Sequence, residues 1–342
     1  MSGAAAVARQ GRVALPGRLV AASGLLALAL ALAASVALGT TGIALERTLT
    51  AFTAYDGSRE HVIVMTVRAP RAVLAAAVGA ALGVAGAVMQ ALSRNPLAEP
   101  GILGISWGAA LAAVTAQLAF SVSSLAVLAS VALLGAAAAG LAVLVLGALG
   151  RRGLTPSKLV VAGAAVSTLL WSVLQGILVV DRQSLEGSRR WLAGSLVGRD
   201  LDVLVHVLPY LAAGLATAFA LGRPLTAFSL GEDVARGLGQ RTGVVKVAAA
   251  AAVVLLAGAA VAVAGPVMLV GLAAPHLARR MVGRDYRRVM PAAAVCGAVL
   301  VVTADVAARF PIAPEELPVG VMTALVGAPV FVHIARRGVR PL

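Results

Sequence analysis

Three observations predict an all-α polytopic membrane protein with ten transmembrane helices and both termini cytoplasmic. Of 342 residues, 60% are hydrophobic and 12% charged, against about 45–50% and about 25% in soluble domains. The apolar residues gather in runs about 20 long, the length that crosses a hydrocarbon core about 30 Å thick. Lys and Arg fall unevenly in the segments between those runs.

Taken in order, runs at about 19–39, 72–92, 101–120, 124–149, 158–180, 201–222, 244–265, 267–283, 289–308 and 317–335 give the ten spans. Arg9, Arg12 and Arg18 precede the first run as they would a secretory signal, but the run exceeds the roughly 7–15 residues of a signal core. The second run carries Gly79, Gly83 and Gly86, small residues that let helix backbones approach. Pro70 suits a first helical turn, which places Arg68 and Arg71 at the outer amino terminus of that span, where the dipole disfavours cations. The eighth run is short and interrupted by Gly271 and Pro275, so protein or a water-filled cavity must cover it. In the ninth, Asp305 is followed one turn later by Arg309, a local ion pair at the outer boundary.

With the amino terminus inside, nineteen of the 28 basic residues lie on the inner side, among them Arg94, Arg151, Arg152, Lys158, Arg223 and the clusters from Arg279 to Arg288 and Arg336 to Arg340. The other nine, including Arg47, Arg59, Arg182, Arg189, Arg190 and Arg199, lie outside, and this bias fits an even number of spans. Residues 1–342 read as one membrane domain, with inner segments at 1–18, 223–243 and 336–342.

The net charge of +14 belongs to topology. Its basic residues are scattered between apolar runs with three Trp and three Tyr, so no nucleic-acid platform exists. A single thiol, Cys296, excludes an intramolecular disulfide framework and a Cys-rich metal site. There is no G-x-x-x-x-G-K-[ST] phosphate loop, no H-E-x-x-H and no G-x-S-x-G. Neither catalytic nor metal-binding residues are expected, and the chain is read as a non-enzyme.

Three segments carry chemistry. The turn from Ser93 to Gly101 has two prolines, with Asn95 and Glu99 as polar groups; it is either a capped turn or a gating loop. In the inner loop, Ser229-Leu230-Gly231-Glu232 reads as a capping box, followed by Leu230, Val234 and Leu238 on one helical face and by Gly237 and Gly239 as terminators. That short amphipathic helix lies either on lipid or in a groove of a partner protein, and its mixed charges favour the groove. The third segment, from Gly265 to Arg280, has helix breakers near both ends and a lone His276, which is either a proton carrier or bonded to a neighbouring carbonyl.

Together, Arg68-Ala69-Pro70-Arg71, the turn Arg94 to Gly101, Gly231-Glu232 with Ala235 to Gly239, Gly265-Pro266 through Gly271 to Pro275-His276, and Glu316 to Gly320 with Gly327 to Phe331 closely resemble the FecCD family, in the same order over residues 19–337. These are the permease subunits of ABC importers for iron-siderophores, haem and vitamin B12. The resemblance implies a multi-pass cell-membrane protein paired with a second permease subunit, identical or related. It also implies two ATPase subunits that hold the ATP and Mg, one extracytoplasmic binding protein, and no cofactor in this chain. It makes Ser229, Leu230, Glu232, Val234, Arg236 and Leu238 the ATPase-coupling helix, and Asn95, Leu97, Thr155 and Ser157 the cytoplasmic gate. Pro156, between the last two, departs from the family pattern. Arg68, Arg71 and Arg309 would face outward and pair with carboxylates on the binding protein. A ferric siderophore is the first expected cargo, with haem and cobalamin behind it. An ion-coupled secondary transporter is the competing class; it requires mid-membrane charges, which this sequence almost lacks.

Overall fold

Each of the ten apolar runs holds one helix. The computed structural model describes residues 17–122, 124–149, 155–180 and 191–336. Arg9, Arg12, Arg151, Arg152, Arg182, Arg189, Arg190, Arg337 and Arg340, with most of the inner segments 1–18 and 336–342, lie outside the described residues.

The long helices are α1 (Gly17–Ala37), α4 (Ala69–Ser93), α5 (Ile105–Phe120), α6 (Leu125–Ala148), α7 (Pro156–Val180), α8 (Leu201–Ala220), α11 (Thr242–Ala264), α12 (Val270–Val282), α13 (Tyr286–Ala308) and α14 (Val319–Arg336). Short helices α2 (Leu45–Thr53) and α3 (Arg59–Ile63) precede α4, and α9 (Gly222–Ser229) and α10 (Glu232–Gly237) join α8 to α11. Seven of the ten are long and apolar enough to cross a membrane by length and composition alone; α5, α12 and the apolar part of α14 are shorter. Helices α4 and α11 are buried along most of their length, whereas α1 and α7 leave most of theirs exposed as apolar surface, the arrangement expected of a bundle lying in lipid or against another subunit.

Close backbone contact fixes the centre. A Cβ on Gly79 would collide with the Gly297 carbonyl, one on Gly83 with the Ala293 carbonyl, and one on Gly86 with Gly271. Helix α4 therefore lies against α13 and α12 at distances only glycine permits.

The second span differs from its sequence-based outline. The helix does not begin at Pro70 but runs continuously from Arg59 to Ser93, with Ser58 as N-cap and a π-helical turn at Val64–Arg68. Proline inside a helix lacks an N–H and crowds the carbonyl four residues back; widening the preceding turn, so that the Ala69 N–H reaches the Val64 carbonyl, accommodates it. Arg68 and Arg71 thus do not stand at a helix amino terminus.

The eighth span is a half-helix. Gly320 packs on the Pro266 carbonyl and Gly327 on Leu269. Seven residues of helix measure about 10 Å, so the chain descends by about that distance between 266 and 269 without helical bonds. Gly265 (φ 71°) and Leu269 (φ 66°) make the two bends, and Val267 and Val270 are buried while Met268 between them is exposed, so protein covers one side of this irregular backbone and the other stands open. Helix α12, 13 residues and about 20 Å long, completes the distance to the inner side.

Candidate functional site

On the inner side, α8 and α11 are joined by two short helices. Leu225 and Phe228 anchor α9 in the core, and Lys246 lies over the Phe228 ring at 5.8 Å. Between the helices, Gly231 adopts φ 133°, a conformation that side chains disfavour. The capping box is thereby corrected. Ser229 is the last residue of α9, and its hydroxyl donates to the Thr226 carbonyl at 2.7 Å. The residue at the N-cap of α10 is Gly231, with no side-chain cap. Glu232 instead accepts from Arg236 at 2.7 Å and from Lys246 at 2.8 and 2.9 Å. Burial raises the affinity of that carboxyl for a proton, but Lys246 and Arg236 outweigh it and hold the group below its ordinary value.

The three apolar side chains remain exposed but do not share one helix, since Leu230 caps α9 and only Val234 lies within α10. Leu230, Val234 and Leu238 are 70%, 47% and 67% exposed, while Ala235 on the opposite side is buried. Beside them is an open cavity of about 570 Å³ whose rim carries Arg223, Arg284, Asp285 and Arg287. Arg287 donates to Asp285 and, as the largest influence, holds that carboxyl below its ordinary value. An exposed apolar triad beside a basic rim is a surface suited to a partner's groove with acidic borders.

The two turns of the expected gate are each satisfied locally. Arg94 ends α4 in the left-handed conformation, Asn95 Oδ1 accepts from the Leu97 N–H at 2.9 Å, and Asn95 N–H donates to Ser93 Oγ. Thr155 Oγ1 accepts from Lys158 N–H at 3.4 Å and lies 3.3 Å from Ser157 Oγ. Pro156 is the first residue of α7, where its missing N–H costs nothing, which accounts for that departure in sequence. Among the described residues no hydrogen bond joins one turn to the other. Glu99 does reach across the molecule: its carboxylate accepts from Leu269 N–H at the bend before α12. Gln90 on α4 ties the same half-helix, accepting from Arg279 at 2.6 Å and donating to the Gly271 and Leu272 carbonyls. Sequence reading marked Glu99 only as a polar group in a turn and passed over Gln90; a carboxylate and an amide inside apolar surroundings were the available signal. His276 makes no hydrogen bond among the described residues, and its Nε2 is buried, so the carbonyl-bonded reading is corrected too.

At the outer end, the expected outward-facing arginines are not outward. Arg68, Arg71 and Arg309 are 4%, 7% and 2% exposed. Arg71 donates twice to Asp305, at 3.0 and 2.8 Å, and once to Glu316. Arg309 donates to the other Asp305 oxygen at 2.7 Å, so the local pair read in sequence exists but has a third member. Arg309 also reaches the Ser35 carbonyl, and Arg68 the carbonyls of Val36, Ala37 and Thr41. The last carbonyls of α1 have no partner within their own helix and lie at the negative end of its dipole, so two guanidiniums cap them favourably. These three side chains brace helix ends rather than present charge to a partner, which corrects the docking expectation.

The profile of the FecCD transport family matches residues 26–337, over nine-tenths of the chain. This chain belongs to the FecCD family. Among its relatives, the siderophore transport system permease YfiZ of Bacillus subtilis is 50% identical over 310 residues, 91% of this chain and 93% of that protein. The iron(3+)-hydroxamate import permease FhuB of the same organism is 41% identical over 95% of this chain and 84% of its own length. The ferric enterobactin transport permease FepD of Escherichia coli is 39% identical over 99% of both. A solved metal-chelate type ABC transporter, in an inward-facing conformation, superposes with a TM-score of 0.82 over 94% of this chain and 100% of that one; at 24% identity it speaks to the fold alone. The FecCD chain described here is accordingly a multi-pass membrane permease of the ABC-importer kind, and its all-helical bundle is that of a transporter subunit.

Proposed function

We propose that this FecCD permease imports a ferric siderophore through the cell membrane, receiving it from an extracytoplasmic binding protein and driven by two separate ATPase subunits. The observation that carries the reading is the inner apolar triad Leu230, Val234 and Leu238, exposed beside a basic rim on a chain whose sequence has no phosphate loop. The ATPase must then be a partner, and ATP and Mg belong to it; this chain needs no cofactor. The apolar faces of α7 and α14 suit a second permease subunit, with both termini cytoplasmic. In this reading the turns at Asn95 to Leu97 and Thr155 to Ser157 form the cytoplasmic gate, with Glu99 fixing the first to the half-helix. A siderophore is preferred over haem and cobalamin because relatives spanning most of this chain are named for siderophore, hydroxamate and enterobactin transport.

Two measurements test this. Leu238→Asp places a charge on the docking face without touching the core and should abolish co-purification of the ATPase while the permease inserts normally; retained co-purification removes the coupling assignment. Uptake into proteoliposomes of labelled ferric hydroxamate, ferric catecholate, haem and cobalamin then ranks the cargo, and preference for either of the last two overturns the siderophore assignment.

A further inference from the structure

The inner docking surface is fastened to one membrane helix by a side chain that the coupling assignment does not use. Thr226, on α9, accepts a hydrogen bond from the Tyr286 N–H at 3.0 Å. Tyr286 is the first residue of α13, and its N–H is one of the four donors that a helix start leaves without an internal partner. Asp285, the N-cap, satisfies the Arg287 N–H at 3.0 Å, so the first donor of α13 is met from a different element, sixty residues back in the chain. The Thr226 hydroxyl spends its own proton on the Gly222 carbonyl at 2.8 Å and has Asp285 Oδ1 at 3.3 Å as a second acceptor. Packing reinforces the joint: a Cβ on Gly222 would meet Arg287 Cγ at 3.0 Å and Met290 Cε at 3.4 Å.

From this joint α13 runs 23 residues, about 34 Å, to the opposite side. Pro291 interrupts its ladder near the base, and the helix continues beyond it to Ala308. On the way it is held to α4 by backbone contact at Gly79 with Gly297 and at Gly83 with Ala293, leaving no space for the two helices to slide independently. At the far end Asp305 and Arg309 join it to Arg71 and to the end of α1.

We infer that α13 carries displacement of the docking surface to the outer face of the permease, and that Thr226 is the positioning residue that ties it to α9. The inference rests on the reading of α9 and α10 as the ATPase-docking surface. A packed helix bound at both ends moves as a unit, while the Thr226 hydroxyl can be removed from this joint with the Gly222 packing left in place.

The test uses permease, ATPase subunits and binding protein reconstituted in liposomes, with ATP hydrolysis and labelled ferric hydroxamate import measured together. Thr226→Val removes the hydroxyl at nearly constant shape. Hydrolysis should continue while import per ATP falls about fivefold, the population shift one neutral hydrogen bond can supply, and Thr226→Ser should restore the ratio. A wild-type ratio in Thr226→Val overturns the inference. Should that variant fail to assemble, Gly222→Cys with Met290→Cys, which lie in contact across the same joint, is closed with a short bis-thiol linker in a Cys296→Ala background. Import should persist with the joint made covalent, and arrest of import on linking overturns the inference. The underlying reading fails separately, if Leu238→Asp keeps its ATPase.

Discussion

At the outer end of the bundle, Arg68, Arg71, Arg309, Asp305 and Glu316 are bonded to one another or to the carbonyls of α1; at the inner end, Leu230, Val234 and Leu238 are apolar and stand exposed. Each end thus places side chains against their usual preference. Three guanidiniums and two carboxylates leave one positive charge over, and the negative end of α1 absorbs it, so the charges of the outer cluster are met within the chain, with the buried Arg309 Nε left as its one unpaired donor among the described residues. Among the described residues nothing covers the inner triad. The difference separates a region whose charges are answered by its own chain from one that leaves apolar side chains open.

The strongest way to break the comparison is Asp305→Ala, which leaves Arg71 and Arg309 buried without their shared acceptor. A loss of about 3–5 kcal/mol is expected from an uncompensated buried charge, read as a large drop in the thermal midpoint of the solubilised permease. The triple replacement Arg71→Met, Asp305→Leu, Arg309→Met should recover part of it; if the single change is silent, the cluster does not hold the outer end. Next in size is Gly297→Leu, which forces α13 from α4 at a site with no free volume. Overpacking of this kind costs about 1–3 kcal/mol, and here import should fall as well, since the two helices no longer move together; full import would show that their contact is dispensable.

The smallest effect sharpens the inner end. Glu232 is held below its ordinary value of 4.5, so its bond to Lys246 contributes fully above that pH and is lost as pH falls through the lowered value. The thermal midpoint should therefore be flat at neutral pH and decline only in acid, by an amount worth less than about 1 kcal/mol. Glu232→Gln should remove this dependence, and an unchanged acid limb in that variant would assign it elsewhere.

Much of the fold was legible because lipid imposes a length on each span, and runs of about twenty apolar residues mark it without reference to neighbours. The depth of each element was not. Nothing in Pro266 to Leu269 states that the chain descends there, since that depends on Gly320 and Gly327 of a later helix. The start of the second span was missed because Arg59-Glu60-His61 is polar and lies outside any hydropathy window, although Ser58 was a usable N-cap signal. In the inner loop the Ser-x-x-Glu pattern misled because Gly231, one residue before Glu232, breaks the helix the pattern assumes. Of the outer cluster, only the i, i+4 pair of Asp305 and Arg309 was visible; Arg71 is 234 residues away, and the capped carbonyls of α1 leave no mark in sequence. The exposure of Leu230, Val234 and Leu238 agrees with their place in a polar loop, although the one helical face read at i, i+4 and i+8 is split between α9 and α10.

The helix from Arg59 to Ser93 has 35 residues and is about 52 Å long. Tilted by as much as 40°, it still projects about 40 Å along the bilayer normal, roughly 10 Å more than the hydrocarbon core. Its outermost turns carry Val62, Met65 and Val67 as exposed apolar groups alongside polar ones, a surface equally at home among acyl chains and among headgroups. The permease therefore extends past the hydrocarbon core on this side, and Arg59 and Glu60 in its first turn set a charged stop that keeps the end of the helix at the headgroups.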